Sequence, residues 1–411
     1  MKVLHLNHSD IKGGAARAAY RIHHALRGAG VDSIMWVNVA AAGDWTVEGP
    51  SRKWDKAISL VRPQAGDLLR QALTTENPIT HSPAILPSHW VKRVNASDAD
   101  VVHLHWVQGE MLSIADIGRI DKPIVWTLHD MWAFCGAEHY TEDLRWRDGY
   151  RRGNRPPYES GFDLNRWTWQ RKRKYWQRPM HIVTPSRWLG ECVRESALLR
   201  DWPVSVVPNC LDTERWAPMD QTLARELLGL PTNVPLLVFG AMGGTSDPRK
   251  GFDLLVGSFA ELRSQKLDLN LVIFGERVPQ NPPDFGFRTH FLGHVYDDVS
   301  MIATYSAADA IVIPSRQDNL PNTGVEAQAC GLPVVAFKAG GLPDIVEHKH
   351  TGYLAQAHDT HDLAAGISWA LEPTRKNEVR KAARDVALKK TDSGKVAARY
   401  LEVYEEVLRQ K

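Results

Sequence analysis

Short apolar runs alternate with helical patterns along the whole chain, and the cycle starts afresh after residue 230. MKVLHLN reads as a strand, SDIKGGAARAAYRIHHALRGAG as a loop and helix, and DSIMWVN as a second strand; VVHLHW, PIVWTLH and HIVTPS follow. Strand, helix and strand in that order are the signature of a parallel sheet covered by helices on both faces. In the second cycle PLLVFGAM, NLVIFGE, AIVIPS and PVVAFK are the buried-strand candidates, separated by helix-like segments such as KGFDLLVGSFAEL and NTGVEAQACG. The expected fold is therefore α/β, with two Rossmann-like doubly wound domains. The first spans 1–208 and the second 209–391, joined near VVPNCLDTERW (206–216). A chain of 411 residues is long enough for two such cores. The closing segment, SGKVAARYLEVYEEVLRQK, is an amphipathic helix with Val396, Tyr400, Val403, Tyr404 and Val407 at helical spacing. Sheets of this kind bind ligands beyond the carboxyl ends of their strands, where the strand order reverses. With two of them, the active site is expected in a cleft between the domains.

The bulk chemistry narrows the partners. A formal charge of +2 offers no global electrostatic case for nucleic acid. The cysteines, Cys135, Cys192, Cys210 and Cys330, lie far apart with no CxxC pair, which argues against a zinc knuckle or a disulfide framework and for a reducing, cytoplasmic setting. MKVLHLNHSD has no apolar run of signal-peptide length, and nothing later reads as a spanning helix. Any membrane contact would be peripheral, on the inner face.

Four stretches carry chemistry. Gly13-Gly14 follow a strand and precede a helix, where glycine lets backbone N–H groups approach an anion; a structural turn explains the pair equally well. His129, in PIVWTLHDMW, ends a strand and could donate to a sugar hydroxyl, or be an ordinary hydrogen-bonded histidine. In DPRKGFDLL, after Gly243-Gly244, Arg249 and Lys250 stand before a helix and suit a departing diphosphate; a solvated basic loop is the alternative. Finally, SRQDNLPNTGVEAQACGLPVV sets Asp318 ahead of a helix beginning near Pro321 or Asn322, with Glu326 about one turn inside it. The N–H groups of Asn322 and Thr323 could bind phosphate, between carboxylates that hold hydroxyls on two parts of one ligand. A nucleotide sugar requires that arrangement.

Taken in order, the GG loop, TLHD, VTPSRWL, VPNCLD, DPRKG, the two carboxylates separated by seven residues, ACGLPVVA, GGLPDIV with TGYL, and the closing helix resemble a family 4 retaining glycosyltransferase of the GT-B fold. The likeness is greatest to enzymes of bacterial exopolysaccharide, capsule or O-antigen synthesis. The resemblance implies that Gly13 and Gly14 approach the donor, His129 bonds the hexose, and Lys250 neutralises the diphosphate. It also implies that Glu326 holds the ribose, Asp318 faces the transferred sugar, Val295 in GHVYDD grips the base through its backbone, and the closing helix, 392–411, completes the first domain. The pattern departs from the family in three places. Asp318 replaces the usual glutamate. Pro321 stands where glycine is frequent, so Leu320, Asn322 or Thr323 must supply the phosphate contacts. GAMGGTSDPRKG lacks the usual GR arginine, for which Arg249 would substitute.

The activity so implied is transfer of a hexose from a UDP- or GDP-linked sugar to a saccharide, such as a lipid-diphosphate-linked oligosaccharide, with no metal or other cofactor. Asp297-Asp298 reads as a polar turn rather than a metal pair. Residues 145–178 hold eleven Arg or Lys against Asp148, Glu159 and Asp163, with eight aromatics interleaved. Trp167, Trp169, Arg171 and Lys172 there could meet an acceptor or an anionic membrane, belong to an ordinary helical insertion, or bind single-stranded nucleic acid. Rival functions are a sugar-nucleotide epimerase or phosphorylase and a non-catalytic nucleotide-sugar-binding subunit. The missing dinucleotide fingerprint disfavours an oxidoreductase.

Overall fold

The computed structural model describes residues 1–50, 53–240, 243, 245–276, 278, 280 and 282–409, without the side chains of 53–60. Gly244, the second glycine of the pair before DPRKG, lies outside the described residues. The chain forms two compact units, Met1–Cys210 with Gly394–Lys411, and Leu211–Ser393.

The first unit is built on seven parallel strands: β1 (Lys2–Ser9), β2 (Asp32–Val39), β3 (Val47–Glu48), β4 (Val101–Leu104), β5 (Ile124–Thr127), β6 (His181–Thr184) and β7 (Val204–Val206). Their order across the sheet is β3-β2-β1-β4-β5-β6-β7, so the winding direction reverses between β1 and β4. Successive side chains alternate between two covered faces. Leu4, Leu6, Val102, Leu104, Trp126 and Ile182 pack on one side with Trp132 and Phe134. Val3, Val101, Val125 and Val183 pack on the other with Ile22 and Leu26 of helix Gly14–Gly28 and with Val396, Tyr400 and Tyr404 of helix Ser393–Arg409. The Tyr400 and Tyr404 hydroxyls bond Thr127 of β5 and His103 of β4, which ties the closing helix to the middle of the first sheet.

The second unit carries six parallel strands: β8 (Leu236–Gly240), β9 (Asn270–Phe274), β10 (Thr289–Gly293), β11 (Ala310–Ile313), β12 (Val334–Phe337) and β13 (Gly352–Ala355). They run in the order β10-β9-β8-β11-β12-β13, reversing between β8 and β11. Both sheets are doubly wound, as the alternation of apolar runs and helical patterns predicts.

Like the connection from β3 to β4, the connection from β5 to β6 is long. It holds helix Leu164–Tyr175 and the strand Glu159–Gly161, which pairs antiparallel with Leu73–Thr75. Here Trp169, Arg171 and Lys172 of the basic aromatic segment face inward, as in a helical insertion, while Arg173 and Lys174 are exposed. Lys172 is fully buried: its ammonium donates to the carbonyls of Trp132, Cys135 (3.1 Å) and Gly136 (2.7 Å) and lies 3.8 Å from the Trp132 ring centroid. Burial pushes this amine down to about 7, against the opposing pull of Cys135, Glu138 and Asp130. Trp169 is buried, near Tyr150. Arg171 donates to the carbonyls of Pro83 (2.8 Å) and Ala84 (2.9 Å) and stacks on half-buried Trp167. Cations and indoles at these four positions hold a long insertion together, because loop carbonyls with no strand partner need donors. Among the described residues no helix is long and apolar enough to cross a membrane.

Candidate active site

In both units the candidate residues follow the carboxyl ends of strands, and in the second they flank the point of reversal. Lys250 and Arg249 come after β8; Asp318 comes after β11, its neighbour in the sheet. Lys250 Nζ lies 2.6 Å from Asp318 Oδ2, and Arg249 Nη1 lies 3.4 Å from Asp318 Oδ1. Burial alone would raise the Asp318 carboxyl; Lys250 and Arg249 outweigh it and hold the group below the usual carboxylate range.

Backbone geometry makes this convergence possible. Gly251 has φ +68°, and a Cβ there would stand 2.0 Å from the Pro314 carbonyl oxygen, so only glycine lets the 247–251 turn press against the chain leaving β11. Asp247 caps the turn by accepting from the Arg249 amide at 3.0 Å. Arg316 clamps it from the other side, donating to the Pro248 carbonyl at 2.7 Å and to both Asp253 oxygens. Arg249 donates to the Gln317 carbonyl at 3.0 Å. The Gly341 amide donates to the Asp318 carbonyl at 2.9 Å, so the GGLP turn closes on the same carboxylate residue.

Leu320 is buried, and Pro321 is the cap of helix Asn322–Ala329. The Thr323 amide, in the first turn, has no acceptor among the described residues. Glu326 is buried in the same helix and its Oε2 accepts from Tyr305 at 3.0 Å. Val295 sits in the loop after β10, half-buried against the second core. Asp297 is accounted for as the cap of helix Asp298–Ala307, accepting from the Ser300 amide at 2.8 Å.

The first unit is of another kind. Gly13 has φ +99° and caps the helix that Gly14 begins; a Cβ there would meet nothing within 4 Å, so the conformation, and not crowding, requires glycine. His129, just beyond β5, is partly exposed, with Nε2 3.3 Å from His105 Nδ1. Burial pushes it down to about 4 despite the neighbouring Asp130 charge, so at neutral pH it is an uncharged hydrogen-bonding ring. Asp130 is engaged elsewhere: it accepts from the Trp132 amide (3.0 Å) and Trp106 Nε1 (3.1 Å) and pairs with His139 Nδ1 (2.6 Å), whose Nε2 bonds Ser82. Motif order does not single out His5, His103, His105 or His139. The available signal was periodicity: His105 follows His103 by two, just past the end of β4, and His5 is registered opposite His103 on β1.

Two parallel α/β sheets of seven and six strands make this a GT-B fold, and solved proteins bear that out. The chain superposes on sucrose-phosphate synthase from Thermosynechococcus elongatus with a TM-score of 0.67, at 16% identity, covering 100% of both chains. It superposes on Anabaena HepE in complex with UDP and glucose with a TM-score of 0.65, at 17% identity, covering 98% of this chain and 99% of that one. In sequence, residues 12–215 match the model "Glycosyltransferase Family 4" and residues 236–373 match "Glycosyl transferases group 1". The chain belongs to the family 4 glycosyltransferases. A D-inositol 3-phosphate glycosyltransferase of Saccharomonospora viridis is 32% identical over 205 residues, 45% of this chain and 46% of that protein. The match thus spans about half the length of such curated relatives.

Proposed function

We propose that the protein is a retaining hexosyltransferase, moving a sugar from a nucleoside diphosphate to a hydroxyl of an acceptor. The observation that carries this reading is the Lys250–Asp318–Arg249 cluster at the strand reversal of the second unit. Breaking the bond from the anomeric carbon to a diphosphate builds negative charge on the leaving oxygen, through an oxocarbenium-like state. Lys250, with Arg249 beside it, meets that charge as it grows, and the first-turn amide of Thr323 adds a dipole of the same sense. Asp318 holds the ammonium in place before the donor arrives and faces the transferred sugar once phosphate takes over the cation. Glu326 holds the ribose, Val295 the base through its backbone, Leu320 and Asn322 contribute to the phosphate contacts, and Gly13, Gly14 and His129 serve the hexose side. The acceptor attacks from the face the diphosphate leaves, and the departing phosphate oxygen takes its proton. The acceptor oxygen thereby gains the glycosyl bond that the phosphate loses. No step calls on a metal.

UDP is the first base to test, because HepE was solved with it. For the acceptor, the notion of a lipid-linked saccharide of a surface-polysaccharide pathway, met at the inner membrane face, loses the support of Trp169 and Lys172, which are buried, and of Arg171, which is committed to carbonyls. The names of the curated relatives favour a phosphorylated cyclitol instead. The test begins with thermal shifts against UDP, GDP, ADP and CMP, repeated on Glu326→Gln, which keeps an acceptor for Tyr305. One diphosphate should raise the melting temperature of the wild type, and the mutant should lose most of that rise. No shift from any nucleotide would sink the donor assignment. Transfer of the matching labelled hexose to inositol phosphate or to a bacterial lipid extract then separates the acceptors.

A further inference from the structure

Beneath His129 lies a row of imidazoles that the transfer chemistry above does not use. His129 Nε2 meets His105 Nδ1 at 3.3 Å, and His105 Nε2 meets His5 Nδ1 at 2.9 Å. His5 is fully buried, and its Nε2 has no hydrogen-bond partner among the described residues. His103 stands beside the row but outside it: Nδ1 bonds Tyr404 at 2.7 Å and Nε2 bonds Thr127 at 2.8 Å. Ligand atoms of His5, His103 and His105 lie within 4.8 Å of one another, as in a metal site, yet both His103 nitrogens and the facing pair of the other two are occupied by these bonds. The cluster is built for hydrogen bonding.

A row of neutral imidazoles has a direction, because each ring has one donor and one acceptor nitrogen. If His129 donated inward, His105 would donate to His5, and His5 would bury an N–H at Nε2 with nothing to receive it. If His5 donates outward, His105 donates to His129, and the unmatched atom in the core is a lone pair. A buried N–H without an acceptor is the rarer outcome. The outward direction leaves His129 with its proton on Nδ1, the nitrogen that has no partner among the described residues. Asp130 does not compete for this choice, since His139, Trp106 and the Trp132 amide take its oxygens.

We propose that His105 and His5 are positioning residues: their one-way hydrogen-bond chain fixes His129 as the Nδ1–H tautomer, presenting a neutral donor to a hydroxyl or ring oxygen of the bound sugar. The part that concerns sugar rests on the donor-side role of His129; the tautomer does not. An imidazole so fixed needs no reorientation when the sugar arrives, which is the general use of a second group on the far ring nitrogen.

The test is a two-bond ¹⁵N–¹H correlation spectrum of the unliganded protein labelled in histidine, with His129 assigned from His129→Gln. The expected result is a protonated Nδ1 and an unprotonated Nε2. His105→Phe keeps a ring but no donor and should release His129 to the Nε2–H form. His105→Asn places an amide N–H where Nδ1 was and should restore the wild-type tautomer. With the donor chosen by the thermal screen, His105→Phe should lower turnover about tenfold, the rate equivalent of one net hydrogen bond, and His105→Asn should recover most of it. An Nε2–H His129 in the wild type, an unchanged tautomer in His105→Phe, or a stoichiometric metal in the purified protein would each overturn the proposal. If His105→Phe does not fold, the wild-type spectrum still decides. A correct tautomer with His129→Gln at full turnover would uphold the chain and overturn the sugar contact.

Discussion

The strand ends of the two units solve the burial of polar chemistry in opposite ways. In the first, His5, His103, His105 and His129 are kept neutral by desolvation, and for His5, His103 and His105 neighbouring imidazoles push the same way. In the second, Asp318 stays charged in an equally buried place because two cations face it. The contrast teaches what each kind of group can offer. Neutral rings give direction to a hydrogen bond without attracting charge; a cation pinned by a carboxylate can be handed to a phosphate.

The largest way to break the comparison is to remove the cation. Lys250→Ala should lower turnover about 10²- to 10³-fold, while donor affinity measured by calorimetry changes far less, since the contact strengthens as charge develops. Equal losses in both would place Lys250 in ordinary binding.

A buried amine held by carbonyls is the next case. Lys172→Met leaves the carbonyls of Trp132, Cys135 and Gly136 without their donor, and urea unfolding should show a loss of about 2–4 kcal/mol. Sedimentation with anionic liposomes should not change. A variant as stable as the wild type that lost lipid binding would revive the surface role.

The smallest effect per group, and the broadest, is in acid. An imidazole that is neutral when folded takes up a proton at its ordinary value of about 6.5 only when unfolded, so the unfolded state binds more protons below that pH. Stability therefore rises with pH through this window and is lost as pH falls from 6.5 towards the folded values, about 4 for His129 and His81 and about 3 for His23. The cost is about 1 kcal/mol per histidine per pH unit. Asp318, depressed in the folded state, gives stability that lasts until pH falls below 3.8. All 15 tryptophans except Trp216 and Trp369 lie in the first unit, so indole fluorescence should report its unfolding at a higher pH than far-UV dichroism reports for the rest. Coincident transitions would erase the distinction.

Strands such as PLLVFGAM and PVVAFK are readable because burial on both faces demands a continuous apolar run. Val47–Glu48, Val204–Val206 and Thr289–Gly293 are not, being short or half-exposed strands with little apolar patterning to show. The meeting of Lys250 with Asp318 joins residues 68 apart and depends on β8 and β11 being neighbours, which no local pattern states. Counting charges over 145–178 measured how basic the segment is but not where its side chains point; Lys172 aims at carbonyls 36 to 40 residues earlier. The imidazole row escaped because motif order ranks residues by place in a pattern, and His5 and His105 matter only through what they touch.

The bonds from Tyr400 and Tyr404 to Thr127 and His103 span 273 and 301 residues of sequence. A growing chain cannot make them until positions 400 and 404 have left the ribosome, by which time all of Leu211–Ser393 has been synthesised. The unit begun first is therefore the one finished last: its histidine-bearing sheet waits, one covering helix short, until every residue of the second unit has been made.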